Sequence, residues 1–342
     1  MHVGAVMSAK PNPRQLFVVR AAYDRISERL EELAPDLDIV VQEPHGGLSL
    51  RGHPVDRGIL APEISWLTVD SFAKSAHGYL GVITQAPTLK WVQIAFAGVE
   101  FPVLKPLARP GIIVTNSSAS APAIAEYVTI HALSLLHPIA QQAAHQRARR
   151  WERGGFREIT QTRWLIVGFG SIGREIAKRV KAFGAIIEVI RRAPEGEGLA
   201  DGVSTLADLP SRLPQADVVV LACALNEETR NLADASFFAA MRPGSILVNI
   251  GRGGLVDEDA LRSALDNDRP AHAVLDVFKT EPLPPESWFW DHPKVRVTAH
   301  ASNRGELSGP RGEALFLNNL DRYLKGEALI DRVRSEDIGA AG

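Results

Sequence analysis

Short, nearly continuous apolar runs recur along the chain, separated by stretches in which apolar residues return every three or four positions. The first such pair is Leu16-Phe17-Val18-Val19 followed by a helical pattern over 23–33. Runs that are apolar on both faces suit strands buried in a parallel sheet, and their alternation with helical patterns predicts an α/β architecture. Further strands are expected at 38–41, 66–69, 91–94 and 112–114, with Gly- and Pro-rich loops between them. Ser120 and Pro122 then open a long helical pattern, with apolar positions at Ile124, Val128, Leu135 and Ile139, that leads out of the first domain. Pro138 is expected to bend it. Alternation resumes with strands at 164–167, 186–190, 217–221, 245–250, 271–275 and 295–298, which predicts a second, doubly wound sheet. The last helical stretch, 312–324, has no place in that sheet and is expected to pack back on the first domain. The expected division is 1–117 completed by 304–342, interrupted by 118–303.

Gly168-Phe169-Gly170-Ser171-Ile172-Gly173 follows the apolar run Trp164-Leu165-Ile166-Val167 and opens the helical run 174–183. That strand–turn–helix context converts a weak glycine pattern into a dinucleotide-site prediction. Gly168 permits the tight turn, Gly170 lets backbone N–H groups approach a pyrophosphate, and Gly173 lets helix and strand pack closely. Ser171 and Ile172 begin the helix, whose N-terminus favours phosphate charge. The plainer alternative is an ordinary glycine turn. At the end of the next strand, where an acidic residue would hold the ribose of NAD, stand Arg191 and Arg192. Two guanidiniums suit a 2′-phosphate, which argues for NADP(H), with NAD(H) also possible. Glu188 is the acidic candidate by counting, but strand alternation puts it on a face rather than at the tip. The competing reading is a solvated basic turn before Pro194.

The 342 residues carry a formal net charge of -2, which gives no general attraction to nucleic acid or to an anionic membrane. No apolar run reaches membrane-spanning length. Residues 1–13 lack the charged and apolar segments of a secretion signal, so the cytoplasm is the expected compartment. The basic stretch 146–153 reads as a solvated face. Cys223, the single cysteine, reads as a packing residue rather than a reactive thiol.

Three polar residues follow successive strands of the second half, where open α/β sheets collect their ligands: Arg252, Glu281 and His300. Arg252 lies between glycines in Ile250-Gly251-Arg252-Gly253-Gly254, so its guanidinium is available to a carboxylate and an adjacent carbonyl. Alone, that loop is merely a turn. A Glu281 carboxylate on the Nδ1 of His300 would fix the tautomer and favour the imidazolium, a proton donor for a carbonyl under reduction. No His or Cys spacing suits a metal, and no nucleophile elbow is present.

Several ordered motifs together resemble the D-isomer-specific 2-hydroxy acid dehydrogenases, the group that includes glyoxylate and hydroxypyruvate reductases. They are Phe96-Ala97-Gly98-Val99-Glu100, Val114-Thr115-Asn116, Ala125-Glu126 and the glycine motif. Later in the chain come Asn249-Ile250-Gly251-Arg252-Gly253, Asp276-Val277-Phe278 with Glu281-Pro282-Leu283, and Trp290-Asp291-His292-Pro293 leading to His300. The resemblance implies a Rossmann-type dinucleotide domain inserted into a flavodoxin-like α/β substrate domain. By the same likeness Arg252 orients the substrate carboxylate and carbonyl, His300 exchanges a proton with the C2 oxygen, and Glu281 supports His300. Backbone N–H groups at Ala97, Gly98 and Val99 would grip the carboxylate. Ala222, Cys223, Ile250, Gly251, Arg252, Asp276 and His300 would border the cofactor, and the helix from Ser120 would form a homodimer. Two departures stand out: Ala299 where the family commonly has proline, and Arg191 where NAD-dependent members carry an acid. The expected activity is NADPH-dependent reduction of a small 2-oxo acid of the glyoxylate or hydroxypyruvate class to the D-2-hydroxy acid. The alternatives are a phosphoglycerate or D-lactate dehydrogenase, or a non-enzymatic dinucleotide-sensing protein like the corepressors that share this fold. Trp288 and Trp290 either line a pocket or pack.

Overall fold

A computed structural model describes residues 14–72, 78–193 and 198–339. Residues 1–13 and Pro194 therefore lie outside the described residues. The described chain divides into two compact units, one of residues 14–117 with 310–339, the other Ser118–Gly309.

The first unit holds β1 (Gln15–Val19), β2 (Asp38–Gln42), β3 (Leu48–Leu50), β4 (His53–Val55), β5 (Ile64–Leu67), β6 (Trp91–Ile94) and β7 (Ile113–Thr115), in the order β4-β3-β2-β1-β5-β6-β7. Five of these strands are parallel, in the flavodoxin-like order, and the β3–β4 hairpin continues the sheet antiparallel. The hairpin has no counterpart among the expected strands, because its strands are too short to show a period. Ser308–Lys325, the last long helix, packs Phe316 and Leu320 into this unit's core, with Phe316 stacked 4.5 Å from Trp66. Burying two such side chains contributes roughly 1.5–3 kcal/mol each. A polar clasp fixes the register of the same helix. Asn319, fully buried, donates to Gln93 Oε1 (2.8 Å) and the Ile330 carbonyl (3.1 Å), and Thr115 donates to the same Gln93 oxygen (2.9 Å).

The second unit holds β8 (Arg163–Val167), β9 (Ile186–Ile190), β10 (Gly202–Ser204), β11 (Val218–Leu221), β12 (Ile246–Asn249), β13 (His272–Leu275) and β14 (Val295–Val297). All are parallel, in the order β10-β9-β8-β11-β12-β13-β14, with the strand order reversing across β8 and β11. That is a Rossmann-type sheet, and its reversal point is where such sheets open a ligand crevice at their carboxyl ends. Only β10, three residues long, was not anticipated. The helix Ala121–Leu136 ends before Pro138, and Ile139–Arg147 continues it at 59°. Proline accounts for the break, since it cannot donate into the helical ladder. No single helix among the described residues is long and apolar enough to cross a membrane. At the opposite end of the sheet, nearly buried Asp217 accepts the Arg163 N–H (2.8 Å) and pairs with Arg157 and Arg242, compensating its charge.

Candidate active site

The glycine motif connects β8 to the helix Ser171–Lys181. Gly168 has φ 100°, and a Cβ there would lie 2.6 Å from the backbone of Ala222 and Cys223. At Gly173 a Cβ would lie 2.4 Å from the Gly168 carbonyl oxygen. Packing therefore dictates both glycines. Gly170 differs: its φ is −80°, and nothing lies within 4 Å of a Cβ built on it. It caps the helix whose first residues, Ser171, Ile172 and Gly173, have N–H groups beyond the reach of any intrahelical acceptor. The arrangement leaves room for a phosphate at a positive helix end. Ala222 and Cys223 follow β11, and Ile250 and Gly251 follow β12, so all four lie at the same edge; the Ile250 N–H donates to Leu221 O at 3.2 Å. Burial pushes the Cys223 thiol up to about 12, which removes it as a nucleophile at neutral pH.

Arg191 directly follows β9, its N–H donating to Ser204 of β10 (3.0 Å), and Arg192 comes next in the turn. Glu188 lies within β9, between Arg163 (3.4 Å) and Arg212 (3.5 Å). Its carboxylate is thus held by two guanidiniums.

The loops after β12, β13 and β14 carry Arg252, Glu281 and His300 in turn. Asn249, fully buried, staples the first loop: its Oδ1 accepts the Gly251 N–H (3.1 Å) and its Nδ2 donates to the Arg252 carbonyl (2.9 Å). Half-buried Arg252 donates from Nη1 to the Gly251 carbonyl at 2.7 Å. A Cβ at Gly253 would lie 1.9 Å from the Phe278 carbonyl carbon, so the Arg252 loop is clamped against the end of the β13 segment. Beyond that strand, Glu281 Oε1 accepts the Phe278 N–H (3.0 Å) and Oε2 meets His300 Nδ1 at 2.8 Å. One carboxylate oxygen is anchored to backbone while the other orients the imidazole. The two side chains are 36% and 43% exposed, so the pair is accessible.

His300 has φ 48°, in the left-handed region that costs a side-chain-bearing residue energy. Asp276, fully buried at the end of β13, holds it there. The Asp276 carbonyl accepts the His300 N–H (2.9 Å), Oδ1 accepts the Ala301 N–H (2.8 Å) and the Thr298 hydroxyl (2.6 Å), and Oδ2 accepts the Ser302 N–H (3.0 Å). Surroundings that over-determine a strained residue are typical of functional loops. Neither Asn249 nor Thr298 was singled out individually from the sequence, although Asn249 had a signal: a polar residue ending a fully apolar run.

In the first unit, the residues 95–99 form the turn after β6. Asn116 Nδ2 donates to the Ala97 carbonyl (2.6 Å), Ser117 N–H to the Phe96 carbonyl (3.2 Å) and Gly339 N–H to the Val99 carbonyl (2.8 Å). With these carbonyls facing protein donors, the turn that contains Gly98 is held firmly. Trp288 stacks on Phe289 (4.0 Å) under the Arg262 guanidinium and is packed within its own unit, whereas Trp290, 48% exposed, donates from Nε1 to the Pro284 carbonyl (2.9 Å).

Comparison with known proteins converges on one group. The family model described as "D-isomer specific 2-hydroxyacid dehydrogenase, NAD binding domain" matches residues 129–302. Glyoxylate/hydroxypyruvate reductase A of Arabidopsis thaliana is 30% identical over 263 residues, 76% of this chain and 83% of that protein. D-3-phosphoglycerate dehydrogenase of Methanocaldococcus jannaschii is 31% identical over 75% of this chain but only 50% of its own length. Among solved structures, a D-isomer specific 2-hydroxyacid dehydrogenase from Xanthobacter autotrophicus Py2, in complex with NADPH and MES, matches with a TM-score of 0.75 at 26% identity, over 95% of this chain and 99% of that one. Glycine turn, sheet order and family matches agree: the chain belongs to the D-isomer specific 2-hydroxyacid dehydrogenases, NAD(P)-dependent enzymes acting on CH–OH donors.

Proposed function

We propose that this enzyme uses NADPH to reduce a small 2-oxo acid of the glyoxylate or hydroxypyruvate class to the D-2-hydroxy acid. The observation that carries the reading is the Glu281–His300 contact of 2.8 Å. With Nδ1 committed to the carboxylate, Nε2 is the nitrogen left to exchange a proton with the substrate oxygen. A bound nicotinamide supplies the hydride. Arg252 pairs with the substrate carboxylate and polarises the neighbouring carbonyl, and the backbone N–H groups of Ala97, Gly98 and Val99 are the first unit's candidates for gripping a carboxylate. Pyrophosphate is held by the 168–173 turn, with Ala222, Cys223, Ile250, Gly251 and Asp276 along the rest of the cofactor's path.

Three observations support NADPH over NADH. Arg191 and Arg192 close the strand at which the ribose is read, and Glu188, the acidic candidate, is already paired with Arg163 and Arg212. The Xanthobacter relative was solved with NADPH. A homodimer built on the 121–136 helix belongs to the same reading, supported by the exposed apolar side chains Ile130, Ile139, Trp151 and Phe156 on and after it. The cytoplasm is the compartment that goes with this reading.

Steady-state oxidation of NADPH and NADH with glyoxylate, hydroxypyruvate, pyruvate and phosphohydroxypyruvate tests the proposal directly. Turnover is expected with NADPH and the small acids, and His300→Ala should lower kcat by roughly 10²- to 10⁴-fold. Equal turnover by the variant would reject the mechanism, and preference for phosphohydroxypyruvate would favour the phosphoglycerate reading. Arg191→Ala should weaken NADPH by about tenfold or more while sparing NADH.

A further inference from the structure

We propose that Tyr127, on the helix Ala121–Leu136, is a positioning residue for His300, acting through a relay of hydroxyl and carboxylate that no motif in the chain announces. The relay is short and fully specified. Thr298 Oγ1 lies 2.6 Å from Asp276 Oδ1, and the carboxylate can only accept, so the threonine hydroxyl donates there. Its remaining capacity is to accept, and the Tyr127 hydroxyl stands 2.7 Å away as the donor. Burial pushes that phenol up to about 12, so it keeps its proton throughout the working range. The direction of the chain is thereby fixed: Tyr127 to Thr298 to Asp276.

Asp276 is the pivot because its two oxygens and its carbonyl hold residues 298, 300, 301 and 302 at once. His300 pays for its left-handed backbone only while that wrap is intact. Loss of the tyrosine hydroxyl leaves the Thr298 rotamer unfixed and weakens the donor to Oδ1, and the imidazole then drifts from Glu281. The helix itself is set against β14 by Arg296, which pairs with Ser134 and the His131 carbonyl, so the phenol arrives at Thr298 from a braced element. His131, its ring tilted at 42° with its centroid 4.3 Å from that of Tyr127, adds a contact on the same helix.

The proposal rests on the reading of His300 as the proton donor, and two kinds of measurement keep the two apart. Amide hydrogen exchange at Ala301 and Ser302, in the full chain saturated with NADPH, reports the wrap whether or not the protein turns anything over. Tyr127→Phe should speed that exchange by roughly fivefold, the loss expected for one hydrogen bond of a buried network. In turnover the same variant should lose about five- to tenfold in kcat, with a larger solvent deuterium isotope effect and an NADPH Kd within twofold of the parent. Thr298→Ser should recover most of what Thr298→Val loses, and Tyr127→Phe added to Thr298→Val should cost nothing further. Unchanged exchange at Ala301 and Ser302 in Tyr127→Phe would overturn the proposal, as would strict additivity of the two substitutions or a loss of NADPH affinity in step with kcat. Faster exchange at Ala301 and Ser302 in Tyr127→Phe, combined with no turnover of any 2-oxo acid by the parent, would instead reject the catalytic reading and leave the relay standing.

Discussion

Two loops of the second unit place a residue in the left-handed region at the carboxyl end of a parallel strand, and they do so by opposite means. After β8 the residue is Gly168, φ 100°, with the Ala222–Cys223 backbone so close that no side chain fits. After β14 it is His300, φ 48°, a residue that must carry a side chain and is forced into place by Asp276. The first loop solves a steric problem locally by deleting a Cβ. In the second, a side chain is retained and the strain is offset by a buried carboxylate accepting from several donors. Loops shaped for backbone proximity are therefore written in glycine, whereas loops shaped to aim a side chain are written in their neighbours.

The sharpest way to break that contrast is Gly168→Ala. It combines a forbidden φ with a clash against backbone that cannot rotate away, so about 3 kcal/mol or more of stability should go, read by denaturant midpoint. Wild-type stability would refute the steric account. Asp276→Ala should come next, at roughly 2–4 kcal/mol, because it orphans the Ala301 and Ser302 N–H groups and the Thr298 hydroxyl together. Its loss of kcat should exceed its loss of NADPH affinity; the reverse ranking would mean that Asp276 serves the cofactor more than the His300 loop.

Gly170→Ala sharpens the comparison from within the glycine turn. Its φ of −80° and open surroundings accommodate alanine, so the melting temperature should hold while NADPH binding weakens by about tenfold. Matching losses in both would mean that all three glycines serve packing alone. The smallest effect concerns pH. Burial, with Arg296 adding to it, holds His131 and His272 below their ordinary 6.5, and Lys294 contributes at His272. The neutral forms are favoured in the fold, so this contribution is complete above about pH 6.5 and is lost as the pH falls below it. A thermal melt series from pH 7.5 down should decline, and His131→Gln with His272→Gln should flatten the part of the slope near 6.5; an unaltered slope would exclude these two groups.

Much of this was legible because it depends on short-range rules. Apolar runs too long to alternate declared buried parallel strands, Pro138 declared the helix break, and glycines in a strand–turn–helix frame declared the tight turn between β8 and the helix that follows. Arg252, Glu281 and His300 were legible as strand-end polar residues, and the contact between the last two followed from successive parallel neighbours. The β3–β4 hairpin and β10 were not, since three-residue strands carry no period and exist through pairing with an already formed sheet. Tyr127 was invisible for a related reason. On its helix it reads as one more aromatic among apolar residues, and 171 positions separate it from the threonine it meets. Sequence alone determined the longer strands and helices and which polar residues stand at the strand ends, because propensity, periodicity and side-chain type are local properties. Only the tertiary structure decided how His300 is held and by whom, because a hydrogen-bond relay exists where distant strands and helices are packed to within a few ångströms.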